Sequence, residues 1–376
     1  MYIYELQNMQ YDSINLLMKK SSYLLLLALC LFGLGACNNI SDRLADAVSG
    51  ATRFAGMDGN SMYHQGEPVR LNSGAIEVLG ELKEPGRVVF RRQIKREVFI
   101  RETRIDADGR QQFAGAYRYR GYSLFDLLHP FEYQKKNVEE FRPGTDLYVV
   151  VENDLGETVV FSFSEIFHTA KPHQILIAIE MAPIEPYRAE VNYPMGDTWK
   201  LVSAGDLYAE RHLENPVRIY VHSFDKQNYP INRDLDPLFS ESLLVKIEEN
   251  PVIEINKQYA AHIKPHTYHT VFYGMGMGYH HNPTFTGPYL HELLEQHIKL
   301  TDPELLRHGL VCFAGIDGYR AVFSFSQLFN RIDQSPPILA IPDDPSDGGY
   351  YRVFLPDAFY ADYSVKALSN LYIYRK

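Results

Sequence analysis

The feature that most constrains this chain is that much of it occurs twice. Val160-Phe161-Ser162-Phe163-Ser164-Glu165-Ile166-Phe167 reappears as Val322-Phe323-Ser324-Phe325-Ser326-Gln327-Leu328-Phe329, an offset of 162 residues from Phe161 to Phe323. Gly156 and Ile177-Ala178-Ile179 return at that same offset as Gly318 and Leu339-Ala340-Ile341. Residues 199–222 align without gaps to 351–374, and residues 121–128 answer 287–294. So many matches in the same order do not arise by chance, and a repeat this long sets the architecture before any motif does. Two copies of one domain are expected, over residues 71–225 and 242–376, with 226–241 as the linker. A chain of 376 residues suits that division.

Each copy reads the same way. Two short strands open it, 75–79 then 87–90 and 243–247 then 252–255, broken at Glu84-Pro85-Gly86 and Asn250-Pro251. A glycine-led short helix follows, with Leu124, Leu127 and Leu128 or Leu290, Leu293 and Leu294 at helical spacing. A buried strand (147–151 or 310–313) then turns at Asp154-Leu155-Gly156 or Asp317-Gly318 and returns through 158–163 or 320–325 into a second short helix. Further apolar strands close the unit. The fold class expected is α+β and β-rich.

The N-terminus carries a different signal. Met18-Lys19-Lys20 is followed by an apolar run over 23–34. That run is about a dozen residues, short of the ~20 that span a bilayer, so residues 1–36 read as a signal peptide. Glu5 and Asp12 precede the basic pair, which signal peptides avoid, so Met18 is an alternative start. Leu34-Gly35-Ala36-Cys37 resembles the lipobox of bacterial lipoproteins. The resemblance implies a lipid on Cys37 and, with Asn38 following, an outer-membrane anchor facing the periplasm. Residues 37–70, rich in Asn, Ser, Gly and Asp, read as a tether. A net charge of −10 argues against a nucleic-acid partner. Of three cysteines, Cys30 leaves with the signal and Cys37 takes the lipid, so Cys312 has no disulfide partner.

The second copy also resembles the molybdopterin-binding domain of the sulfite oxidase family. The residues that carry this are Gly287-x-x-Leu290-x-x-Leu293-Leu294, Asp317-Gly318-Tyr319, Ile338-Leu339-Ala340, Tyr351-Arg352-Val353-Phe354-Leu355-Pro356 and Ser364-Val365-Lys366, in that order. The resemblance spans about 130 residues there, and more faintly a similar length of the first copy. It implies tandem sulfite-oxidase-like domains, with Arg352 and Lys366 holding an anionic pterin cofactor; guanidinium and ammonium both suit phosphate oxygens. In the first copy Lys200 and Glu214 stand at those two positions, and no such cofactor is expected there. The family's molybdenum is held by a cysteine on the segment ahead of the glycine-led helix. Here that segment is 91–113 or 268–285, and neither contains cysteine. The soft ligand for that metal is missing. Cys312 aligns with Val150 inside an apolar strand and reads as a core thiol.

Two other features bear on chemistry. His262, His266, His269, His280, His281, His291 and His297 crowd around Gly274-Met275-Gly276-Met277-Gly278. His280 or His281 with Met275 or Met277 would suit copper, haem iron or zinc; the same stretch also fits a solvated surface loop. The stretch 87–104 interleaves seven basic residues with apolar ones, which fits an anionic ligand, a lipid headgroup or a charged edge strand. Phosphate loops, nucleophile elbows and supported carboxylate pairs are missing from the sequence.

The function expected is an envelope lipoprotein with degenerate molybdopterin-binding-like domains, a non-catalytic module for a small anionic ligand or an envelope protein partner. The alternative is a pterin-dependent oxidoreductase using the second domain. The junction between the copies is the expected pocket, because ligand sites favour domain interfaces.

Overall fold

The computed structural model describes residues 63–65, 67–90, 94–186, 189–342, 349 and 351–376. The expected signal peptide, the Cys37 lipidation site and the tether through Met62 lie outside the described residues. Tyr63–Lys376 forms one compact unit. Among the described residues no helix is long and apolar enough to cross a membrane.

In the first half, β1 (Glu77–Gly80) turns back as β2 (Gly86–Arg87), and a long hairpin follows, β3 (Arg96–Ile105) and β4 (Gln111–Ser123). Helix α1 (Leu124–Leu128) buries Leu124, Leu127 and Leu128, and Ser123 caps its start by accepting the Asp126 N–H. Then come β5 (Leu147–Asn153), β6 (Thr158–Ser162), α2 (Phe163–Phe167), β7 (Ile175–Pro186), β8 (Lys200–Ser203), β9 (Leu213–Glu214) and β10 (Pro216–Ser223). The second half opens with β11 (Leu243–Ile247), β12 (Ile253–Ile255) and α3 (Lys257–Ala261). It continues through β13 (His266–His269), the small hairpin β14 (Tyr273–Gly274) and β15 (Gly278–Tyr279), β16 (Thr284–Gly287), α4 (Leu290–Leu294) and α5 (Pro303–His308). It closes with β17 (Gly309–Gly315), β18 (Arg320–Ser324), α6 (Phe325–Phe329), β19 (Ile338–Ala340), β20 (Arg352–Phe354) and β21 (Leu368–Arg375). This is a β-rich α+β fold.

Each half contains a five-stranded sheet of the same order, β2-β1-β10-β5-β6 and β12-β11-β21-β17-β18. In each, the first and last strands of the half run parallel, and the other neighbours are antiparallel. Each half also has its own apolar core, one around Trp199 and Phe161 and the other around Phe323 and Tyr351. The glycines ahead of α1 and α4 have a steric cause. A Cβ on Gly121 would strike the Ile177 carbonyl oxygen, and one on Gly287 would strike the Leu339 carbonyl oxygen. Only glycine lets those strands cross so closely.

The halves differ in their second layer. In the first it is one sheet, β9-β8-β7-β4-β3, to which the short strands Tyr63–Gln65 and Val69–Arg70 add along β7. Pairing therefore starts ahead of residue 70, where the tether was expected to end; main-chain hydrogen bonds to β7 hold that segment. In the second half the corresponding strands are the shorter pairs β13–β16 and β19–β20. Arg87 of the basic stretch ends edge strand β2, and from Arg96 the stretch forms edge strand β3, with Val98, Ile100 and Glu102 inward and Glu97, Phe99 and Arg101 outward.

The two halves meet through positions that the repeat relates. Tyr148, Val150 and Val160 pack with Leu310, Cys312 and Val322, joined by Phe224, Tyr372 and Tyr374. Beside this apolar patch the duplicated Ser-Phe-Ser motif bonds across itself. Ser162 Oγ donates to Gln327 Oε1 at 2.6 Å, and Ser324 Oγ donates to Glu165 Oε1 at 2.6 Å. Arg211 neutralises the one carboxylate of that exchange. It reaches Glu165 at 3.0 and 2.9 Å and Asp206 at 2.8 and 2.6 Å. The junction is thus largely filled by side chains. Cavities of about 470 Å³, beside Arg307, and about 80 Å³, beside Arg211 and Arg331, border it.

Candidate functional site

A larger cavity, about 920 Å³, lies on the second half and the linker, away from the junction where a pocket was expected. Like positions pack against one another at the junction, whereas this cavity opens beside the separate pairs β13–β16 and β19–β20 of the described residues. Its floor is aromatic. Phe272 and Phe285 pack at 5.1 Å between ring centroids, and Phe285 meets Phe354 at 4.9 Å. β20 places Arg352 over this floor, with the guanidinium 5.5 Å from the Phe272 ring centre and 5.6 Å from that of Phe285. Two residues beyond Ser364, whose hydroxyl donates to the Val353 carbonyl, the exposed Lys366 also lines the cavity. Both residues matched to the family's cofactor contacts therefore border one space.

The turn between β17 and β18 supplies the opposite wall. Asp317 Oδ1 accepts the Tyr319 N–H at 3.0 Å, and Asp317 Oδ2 accepts from Arg233 of the linker at 3.0 Å. The Arg233 guanidinium lies over the Tyr319 ring at 5.2 Å. Burial pushes the Tyr319 phenol up to about 12, so it stays protonated and donates to the Asp362 carbonyl at 3.0 Å. Asp362 Oδ2 in turn accepts the Met275 N–H at 2.7 Å, which pins the β14–β15 hairpin over one side. Among the described residues the lining carries Arg233, Arg352 and Lys366 alongside Asp317 and Asp362. Clustered cations in a concavity attract small anions.

The histidine cluster separates in three dimensions. His280, His281 and Met277 line the cavity, all three exposed; Met275 is itself 41% exposed and reaches the site through its amide. His266 stacks on Tyr289, His269 meets Thr284, and His297 meets Tyr259. Among the described residues no three His, Cys, Asp or Glu side chains converge in a metal-binding group. Cys312 is buried in the junction cluster, where burial raises its thiol pKa well above the ordinary value.

The first half fills the corresponding position with its own side chains. Lys200, the counterpart of Arg352, donates to Glu102 at 3.0 and 3.2 Å. Burial alone would raise the Glu102 carboxyl. Contacts from His212, Lys200 and Tyr119 reverse that and hold it well below the usual carboxylate range. The lysine is buried with its counterion, while Glu214 is exposed on β9. Sequence reasoning missed Glu102 as that counterion. It also missed Arg233, which sits in a segment outside both repeats, and Phe272 and Phe285, whose shared floor joins the residue ahead of β14 to β16.

No protein-family profile matches the chain, and no curated protein does either. Among solved structures, the sulfane dehydrogenase SoxCD from Paracoccus pantotrophus is similar over 50% of this chain, with 13% identity and a TM-score of 0.30. The match spans 50% of that protein's chain.

Proposed function

We propose that this chain is a bacterial envelope lipoprotein, held by a lipid on Cys37 at the outer membrane, whose second half binds a small anionic ligand without turning it over. The two halves are read as duplicated sulfite-oxidase-like domains, a reading supported by their matching sheet orders and by the reciprocal serine bonds. The observation that carries the functional reading is the cavity in which Arg233, Arg352 and Lys366 gather around an aromatic floor. Its described lining contains no thiol.

A second reading is a pterin-dependent oxidoreductase, favoured by the presence of both Arg352 and Lys366 on one cavity. Those two side chains suit the anionic oxygens of such a cofactor, which when bound would supply redox chemistry. The described donor set does not suit its molybdenum, since Cys312 is sealed in the junction and the described lining offers histidine, methionine and carboxylate in place of a thiolate. Metal and pterin analysis of mature protein from its native host separates the readings. Ligand without molybdenum is expected; stoichiometric molybdenum with extractable pterin would overturn the binding-only reading.

A further inference from the structure

We infer that the linker between the halves is part of the ligand site, and that Arg233 gives the site its preference for multiply charged oxyanions. This rests on the anion-binding reading above. The linker is fastened to the β17–β18 turn. The Asn232 N–H donates to the Asp317 carbonyl at 2.9 Å. Gly318 has φ +79°, and a Cβ there would collide with the Pro230 carbonyl oxygen. The turn's glycine thus serves a second purpose beyond its backbone angle, since it lets the linker lie directly on the cavity wall.

That contact delivers Arg233 to the site as a third cation. Its ion pair with Asp317 is 55% exposed on the arginine side and 10% on the aspartate side, so the guanidinium faces solvent while the carboxylate stays largely buried. A guanidinium has five donors, and its planar fork matches phosphate oxygens, so Arg233 can keep Asp317, remain over Tyr319 and still offer its exposed donors to a ligand anion. Arg352 and Lys366 serve one set of anionic oxygens, and Arg233 serves a second.

Calorimetric titration of the full mature chain with pyrophosphate and with orthophosphate, at fixed ionic strength, tests this. Arg233→Ala is expected to weaken pyrophosphate roughly tenfold, the loss of one charge-assisted contact, and to leave orthophosphate nearly unchanged. Arg233→Lys should recover part of the loss. Asp317→Asn keeps an acceptor for the Tyr319 amide and removes the competing charge, so it should tighten pyrophosphate binding several-fold. A purely structural Arg233–Asp317 pair would instead make both variants bind less well. Equal effects of Arg233→Ala on the two probes, no effect on either, or weaker binding by Asp317→Asn would each overturn the inference. If Arg352→Ala lowers affinity while Arg233→Ala does not, the inference fails and the anion site stands. Absence of pyrophosphate binding by the parent chain would overturn the anion-binding reading itself.

Discussion

Replacing Arg211 by Met tests whether the junction is held by its charge network. Arg211 is 1% exposed and satisfies two carboxylates, Glu165 and Asp206, while its guanidinium lies 4.2 Å from the Phe161 ring centre. Methionine keeps much of the packing and removes the charge. The two acids are then left buried and facing each other, and breaking such a pair from one side costs about 3–5 kcal/mol. Unfolding entropy of roughly 2.1 cal/mol/K per residue over a unit of about 310 residues gives ~0.65 kcal/mol/K, so the expected drop in Tm is about 5–8 °C. Circular dichroism melts of the non-lipidated mature chain measure it. Adding Glu165→Gln should recover part of the loss, because one buried acid disappears and Gln327 already occupies the matching position across the junction. A drop below about 1 °C, or no recovery in the double variant, would refute the claim that Arg211 balances buried charge.

Other expectations concern single groups. Burial lowers the His168 imidazole from 6.5 to about 4, with Nδ1 2.8 Å from the Tyr363 hydroxyl across the junction. The folded protein therefore binds that proton less readily than the unfolded chain. Stability should be full above pH 6.5 and fall as pH drops toward 4; NMR titration should find no His168 midpoint near 6.5. Gly287→Ala should cost about 3 kcal/mol or prevent folding, through the clash with the Leu339 carbonyl, and Gly276→Ala, with open space around it, should be neutral in the same melts. Cys312 should resist alkylation in folded protein and react on denaturation, because it is fully buried and its thiol is hard to ionise.

Much of the architecture could be read from local patterns. The repeated leucines at helical spacing became α1 and α4, and the two glycine turns took positive φ at Gly156 and Gly318. The duplicated Ser-Phe-Ser motif was visible as a repeat, but its purpose was not. Its residues satisfy one another across the junction, a relation between distant segments that no local pattern encodes. The same reason hid Arg233, whose partners Asp317 and Tyr319 are more than eighty residues away. His266 and His269 were sent to opposite faces of β13, because alternate strand positions point opposite ways, while His280 and His281 fall in the loop ahead of β16. Arg352 and Lys366, singled out by the motif resemblance, line one cavity.

The most direct test of the central claim is native mass spectrometry of the mature chain purified from its own host, beside an Arg352→Ala/Lys366→Ala variant. A small anionic molecule should be retained by the parent chain, lost from the variant and free of molybdenum. A parent chain that carries no ligand, a variant that keeps it, or a ligand that contains molybdenum would contradict that claim.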